Sequence, residues 1–183
     1  MNNIHKKLIK LAETPSDIRE HLFTLFGYSV GNNHITEMGV RSVVSTWAFL
    51  AAKPTTLVCI DINYSPYFKE AETLAKEYNI DLKFLLQNTI EPGFEIEQTD
   101  VLFIDTLHTY PQLKQELFQH SHKVNNYIIL HDTTTFGLQN ESNIVSNPQG
   151  LQAAVLEFIE KDQNWEIANI YENCNGLAIL KRI

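Results

Sequence analysis

The chain has 183 residues, a net charge of −8 from 14 basic and 22 acidic side chains, 44% hydrophobic residues and two cysteines. That length suits one domain whose core needs no disulfide or metal staple, and no apolar run is long enough to span a bilayer. The acidic balance leaves no basic footprint for a nucleic-acid partner, and Met1–Pro15 lacks an apolar segment of signal type, which predicts a cytoplasmic protein without membrane association.

In chain order, Ile4–Leu11 and Ser16–Phe26 read as two short helices that cover one face of the domain or the mouth of a site. His34–Met38 is the first strand-like run. Ser42–Lys53 reads as a helix stopped before Pro54, and Thr56–Ile60 as the second strand, with Cys59 as a core thiol. Pro66–Tyr78 carries Phe68, Ala71, Ala75 and Tyr78 at helical spacing, with Ser65 placed to cap it and Pro66 in the first position. Asp81–Leu86, Val101–Ile104 and Tyr127–Leu130 follow as further buried strands. Pro111–Lys123 and Gly150–Lys161 are the remaining helices, the second with a core stripe of Leu151, Ala154, Val155, Phe158 and Ile159. Trp165–Glu172 and Leu177–Lys181, joined through the Asn-Gly of Asn173–Gly176, predict a terminal antiparallel hairpin.

Strands that alternate with helices predict an α/β fold: a mostly parallel sheet with helices on both faces. We expect one domain, with an N-terminal helical segment over 1–30 and a core over 34–183. In such sheets ligands bind beyond the carboxyl ends of the strands. Polar groups stand there in turn: Glu37 and Gly39, Asp61, Gln87-Asn88, Asp105, then His131-Asp132. Gly39 suggests a tight strand-to-helix turn that presents backbone N–H groups to an anionic group. Asp61, 22 residues further on, suits a ribose diol. Asp105 and Asp132, with His108 and His131 beside them, suit a divalent cation. His108 also suits proton abstraction from a hydroxyl. His5, His21, His120 and His122 read as structural. The polar stretch Thr133–Asn147 has no periodicity, and its length and place after Asp132 favour a functional loop. No G-x-S-x-G hydrolase elbow is present.

Read together, TEMGVRSVVSTWAFL, LVCIDI, DVLFIDTLHTYPQL and YIILHDT resemble class I S-adenosylmethionine-dependent methyltransferases. The similarity is to the small O-methyltransferase group that also contains sugar methyltransferases and cephalosporin-hydroxylase-like proteins, and it runs from about His34 to the C-terminus. The resemblance implies a Rossmann-like seven-stranded sheet whose last strand is antiparallel. It implies that Glu37 and Gly39 hold the methionine part of S-adenosylmethionine, that Ser45 and Thr46 lie near its carboxylate, that Asp61 binds the ribose and that Asn88 flanks the adenine. It places Asp105 beside the cofactor and gives Asp105 and Asp132 to a divalent cation such as Mg2+, with His131 as a further ligand from the residue reading above, although His131-Asp132 replaces the acidic or Asp-Asn pair of better-described relatives. His108 is then the catalytic base, and a sugar or another hydroxylated small molecule the acceptor. Val43 and Val44 stand where relatives often have glycine. Leu107 replaces an aspartate of the D-G-D-H-T-Y pattern.

Two other readings share these residues. A nicotinamide-dependent oxidoreductase would use the first loop and Asp61, but it lacks a full G-x-G-x-x-G loop and leaves Asp105 and His131-Asp132 unexplained. A non-catalytic domain of the same fold would account for Val43, Val44 and Leu107. A homodimer through the sheet edge or the N-terminal helices is a further expectation.

Overall fold

The computed structural model describes residues 2–141 and 147–183. Of the polar stretch Thr133–Asn147, residues 142–146 therefore lie outside the described residues. Seven strands form one sheet: β1 (His34–Met38), β2 (Thr56–Asp61), β3 (Asp81–Leu86), β4 (Thr99–Ile104), β5 (Val124–His131), β6 (Trp165–Tyr171) and β7 (Leu177–Arg182). The spatial order is β3-β2-β1-β4-β5-β7-β6. The first five strands run parallel, and β7 pairs antiparallel with both β5 and β6. This is the mostly parallel sheet expected from the alternation of runs, with the antiparallel terminal hairpin expected from the Asn-Gly turn, and the seven-stranded Rossmann-like order that the resemblance implies.

Helices cover both faces because each strand places alternate side chains on opposite sides. Against one face lie α1 (Asn3–Glu13), α2 (Leu22–Ser29), α3 (Thr46–Ala52) and α4 (Phe68–Glu77). Ile4, Leu8, Leu22 and Leu25 join Ile35, Leu57, Val101 and Ile129 in that layer. The N-terminal helices thus pack on the sheet side as core. Against the other face lie α5 (Tyr110–His120) and α6 (Leu151–Lys161), whose Leu113, Leu117, Ala154 and Phe158 meet Leu102, Ile104, Ile128 and Leu130. Among the described residues no helix is long and apolar enough to cross a membrane.

Four local expectations are corrected. Ser16–Phe26 is not one helix: a 3-10 turn at Arg19–His21 precedes α2, and Thr14–Ile18 is irregular. The helix read from Ser42 begins at Thr46, because Arg41 and Val43 adopt left-handed backbone (φ 39° and 65°), which no α-helix accommodates. Ser65 does not cap α4; Tyr67 holds the cap position and no side chain fills it. Nor is β3 buried: it is an edge strand with Leu85 and Leu86 exposed, and the Asp81–Lys83 ion pair marks its solvent side.

Strand order reverses between β1 and β4, since β1 leads outward to β2 and β4 leads the other way to β5. The crevice at that reversal is where open α/β sheets hold ligands. Its floor is set by two backbone bonds, Gly39 N–H to the Ile60 carbonyl (2.9 Å) and Asp105 N–H to the Met38 carbonyl (2.8 Å).

Candidate functional site

Glu37 is the first expected site residue, and it is fully buried within β1. It shares a sheet face with Ile35, towards α3. Ser45 Oγ donates to its Oε1 (2.5 Å), and Thr46 Oγ1 and Cys59 Sγ donate to its Oε2 (2.7 and 3.1 Å). Burial pushes its carboxyl up to about 7, with those three donors acting against the rise. Glu37, Ser45 and Thr46 therefore satisfy one another beneath the β1–α3 loop and fix its shape from below.

Asp61 secures the same loop from the other side. Its Oδ2 accepts from Val40 N–H (2.8 Å) and Arg41 N–H (3.1 Å), and its Oδ1 from Asn63 N–H (2.9 Å). Oδ1 keeps one acceptor position free. Ile62 beside it and Leu86, its register partner on β3, are both about two-thirds exposed. Asp61→Ala is expected to cost about 1.5–3 kcal/mol with no ligand present, because it strands the amide of buried Val40. Urea denaturation of the ligand-free variant measures this; unchanged stability would mean that the carboxylate does not hold the loop. Asn88 is exposed beyond β3, and its Oδ1 accepts from Ile90 N–H at 3.1 Å.

The chemistry-bearing residues converge at the ends of β4 and β5. His108 Nε2 lies 3.1 Å from Asp105 Oδ1 and 3.0 Å from Asp132 Oδ2. His131 Nδ1 lies 3.4 and 3.1 Å from the same two oxygens. His131 and Asp132 are buried. Asp132 has left-handed backbone (φ 59°), unusual for a residue that is not glycine, and its buried Oδ1 has no hydrogen-bond partner among the described residues. Asp105, His131 and Asp132 each offer one atom to a set that fits within 4.8 Å, the spacing of donors around one metal ion.

Burial alone would lower both histidines, but hydrogen bonds and charge from Asp105 and Asp132 outweigh it and raise each to about 10. For Asp105 and Asp132 burial is likewise the largest influence and acts upward, yet the two histidines hold both carboxyls below their ordinary value. A protonated ring cannot accept a proton. The base role expected of His108 therefore requires a state in which something other than its own proton neutralises the two carboxylates.

Residues outside the sequence reading complete the cluster. Glu141 Oε2 accepts from His108 Nδ1 (2.8 Å) and from the His108 backbone N–H (3.1 Å). Its signal was available, since it is the only charged residue in Thr133–Asn147. Phe136 stacks on the His108 ring, with centroids 4.9 Å apart and planes 2° from parallel. The β6–β7 turn turns its carbonyls inward. Asn173 accepts from His21 Nε2 (2.9 Å), Cys174 from His131 Nε2 (3.3 Å), and Asn175 from the N–H groups of Thr134 and Thr135 (2.9 and 3.0 Å). The left-handed run Cys174, Asn175 and Gly176 makes this possible. Buried Glu116 receives Thr89 (2.6 Å), Thr106 (2.8 and 2.9 Å) and Gln112 (2.8 Å), and so ties the segment after β3 to the segment after β4.

With this geometry in view, the fold can be compared with solved structures. A protein from Corynebacterium glutamicum superposes with a TM-score of 0.68 at 17% identity, over 98% of this chain and 88% of that one. The N-methyltransferase NodS from Bradyrhizobium japonicum WM9, in complex with S-adenosyl-L-homocysteine, gives 0.63 at 13% identity over 99% of both chains. Magnesium protoporphyrin IX methyltransferase (ChlM) from Synechocystis PCC 6803, with bound SAM, gives 0.60 at 15% identity over 100% of this chain and 85% of that one. No family model and no curated protein matches the sequence. At these identities the likeness establishes the fold: a Rossmann-like sheet of the kind used by methyltransferases.

Proposed function

We propose that the chain transfers a methyl group from S-adenosylmethionine to a hydroxyl of a sugar or another small polar molecule, with a divalent cation between the ends of β4 and β5. One observation carries this reading. Asp105, His108, His131 and Asp132 converge beside the crevice between β1 and β4, on a fold shared with proteins that bind the cofactor or its demethylated product. A nicotinamide-dependent reading leaves that convergence without a purpose.

The residues present fit the cofactor in part by direct contact and in part by support. The free acceptor position of Asp61 suits a ribose hydroxyl, and exposed Ile62 and Leu86 offer apolar surface for a base. Gly39 lets the first loop lie against the Asp105 carbonyl. Glu37, Ser45 and Thr46 keep that loop in place rather than touching the ligand. The cofactor's sulfonium supplies an activated methyl group, so the protein's task is mainly to align acceptor oxygen, methyl carbon and sulfur. The fit to a cation rests on Asp132 Oδ1, which has no partner among the described residues, and on the mixed nitrogen and oxygen donors of Asp105, His131 and Asp132. Bound there, a cation would lower the pKa of a substrate hydroxyl. Leu107, about half exposed, and Phe136 border the same mouth and would shape the acceptor side.

Calorimetric titration with S-adenosylmethionine and S-adenosylhomocysteine tests the reading. We expect dissociation constants of about 1–100 μM, in the range of ordinary substrate affinities. Absence of binding to either would remove the activity and favour a non-catalytic domain. The amide bonds already filling most of Asp61 are the observation on that side.

A further inference from the structure

We infer that the cleft between α2 and the side of β5 and β7 that faces it is a second ligand site, built for a sugar-sized ring that carries a phosphate or carboxylate group. The cleft lies apart from the crevice between β1 and β4, and what it binds is independent of methyl transfer.

The cleft has a volume of about 630 Å3, within the range of small-molecule sites. The loop between α2 and β1 and the start of β5 close one end, where Asn126 Nδ2 donates to Asn32 Oδ1 (2.6 Å). Tyr171 on β6 stands at the other. Tyr127 pairs with Lys181 and Tyr171 with Leu177, so the ends are separated by the length of β7 between Leu177 and Lys181, about 13 Å. Two glycines keep the space open. Gly27 and Gly31 both line it, and a Cβ at either would meet no atom within 4 Å.

Tyrosine rings set the shape of the ligand's body. Tyr28 and Tyr127 stand 5.1 Å apart with their planes at 75°. Such rings form a corner, not a parallel slot, so a flat base would stack on one of them at most. A saturated ring is thicker and presents C–H groups, which the negative face of an aromatic ring attracts. The corner is held from two sides: Asn169 Nδ2 donates to the Tyr28 hydroxyl, and Asn32 Nδ2 donates to the Tyr28 carbonyl (2.8 Å).

The polar groups around the corner select an anion. The chain carries 22 acidic side chains against 14 basic ones, yet among the described residues no acidic one lines the cleft. Side chains able to donate hydrogen bonds line it instead, Thr24, the three tyrosines and Lys181 among them. Burial, and after it the Tyr28 phenol, raise the Tyr171 hydroxyl above its ordinary value, so it stays a donor. Lys181 shares the α2 side of β7 with Leu177 and Ile179, because alternate residues of a strand share a face. Unlike Lys7, Lys83 and Lys114, which pair with carboxylates, it has no such partner among the described residues. Glu166, its register partner on β6, does not line the cleft. The Arg182 guanidinium is engaged elsewhere, donating to the Val124 carbonyl (2.6 Å) and lying over the Trp165 ring. Lys181 is therefore the cation that meets the charged substituent.

The test uses the full chain without cofactor, labelled with nitrogen-15 and titrated with glucose 6-phosphate, glucuronate, inorganic phosphate and glucose. We expect the side-chain amides of Asn32 and Asn126 and the backbone amides of Gly27 and Gly31 to shift with a charged sugar, at a dissociation constant of about 10 μM–1 mM. The tighter of the two charged sugars identifies the anionic group. Glucose, which lacks the charge, and phosphate, which lacks the ring, should each bind about 10-fold or more weaker. Lys181→Ala should weaken the charged sugar by about 10-fold or more and leave thermal stability unchanged, as for other exposed side chains. Gly27→Leu fills the open space from a helix that favours leucine over glycine, and should abolish binding without loss of stability. Three results would overturn the inference: no shift with either charged sugar up to about 10 mM, ten times the top of the expected range; shifts confined to the amides of Asp105–His108, which would put the sugar at the ends of β4 and β5; or an affinity indifferent to both variants. Phosphate bound as tightly as glucose 6-phosphate would likewise remove the ring from the recognition and the sugar from the proposal.

Discussion

Gly39→Ala is expected to lose about 3–5 kcal/mol of folding stability, a large share of the roughly 5–15 kcal/mol that holds a domain together. Two separate costs add. Gly39 has left-handed backbone at φ 85°, which costs a residue with a side chain about 1–2 kcal/mol. A Cβ there would also stand 1.9 Å from the Asp105 carbonyl oxygen and 2.6 Å from its carbon. Those are backbone atoms, and neither partner can retreat: Gly39 N–H is bonded to Ile60 and Asp105 N–H to Met38. The methyl group would pry β1 from β4 at the crevice itself. Gly93 is the internal control, because it has nearly the same backbone (φ 83°) and open space around its Cβ position. Gly93→Ala should therefore show the conformational cost alone, about 1–2 kcal/mol. Urea denaturation of both variants separates the two costs, with the Gly39 midpoint falling by about 1–3 M. Equal losses in both variants would show that the crevice has slack and that close approach is not why glycine stands at position 39.

The sheet was legible because β2, β4, β5 and β7 carry apolar runs and the other strands carry apolar residues between polar ones, and hydrophobic patterning is the strongest local signal. The Asn-Gly turn announced the terminal hairpin for the same kind of reason. What the sequence hid depends on contacts distant along the chain. Val43 has left-handed backbone in a loop gripped from below by the Ser45–Glu37 bond and from beside by the Val40–Asp61 bond, which span 8 and 21 residues; no local preference of valine forecasts it. The edge position of β3 is a property of strand order, and Leu85 and Leu86 read the same whether buried or exposed. For the site, strand ends marked Asp105, His131 and Asp132 correctly as neighbours, since parallel strands bring their carboxyl ends to one edge. Glu37, Ser45 and Thr46 were recognisable by resemblance, but that they would bind one another required the register that sets Glu37 beside Cys59. The carbonyls of Asn173–Asn175 carry no side-chain signal at all, although they orient two histidines.

The metal-free chain is expected to be most stable at mildly acid pH and to lose stability steadily towards alkaline pH. His108 and His131 gain partners on folding, and their values rise from 6.5 to about 10. Their contribution is therefore complete below about 6.5 and disappears as pH rises through about 10. The groups facing them are Asp105, Asp132 and Glu141, with His21 edge-on to His131. Glu37 adds to the slope, because a buried carboxyl raised to about 7 destabilises the fold once it ionises above its unfolded value of 4.5. Asp105 and Asp132 act at the other end: their values are lowered, so their contribution holds above about 3.8 and fades as pH falls below that. The maximum should lie between these limits, near pH 4–5, and the alkaline loss should reach about 5 kcal/mol or more by pH 10. Urea midpoints at pH 5.5, 7.5 and 9 measure the slope, and a flat profile would mean that the histidines are not held as cations. His108→Ala should remove a large part of it. A bound cation reverses the logic, since it needs the His131 ring deprotonated and releases that proton as it enters. Its stabilisation must therefore grow with pH in the range where the metal-free chain weakens. The profiles with and without a divalent cation should diverge above pH 7, and coincident profiles would mean that no cation enters between the ends of β4 and β5.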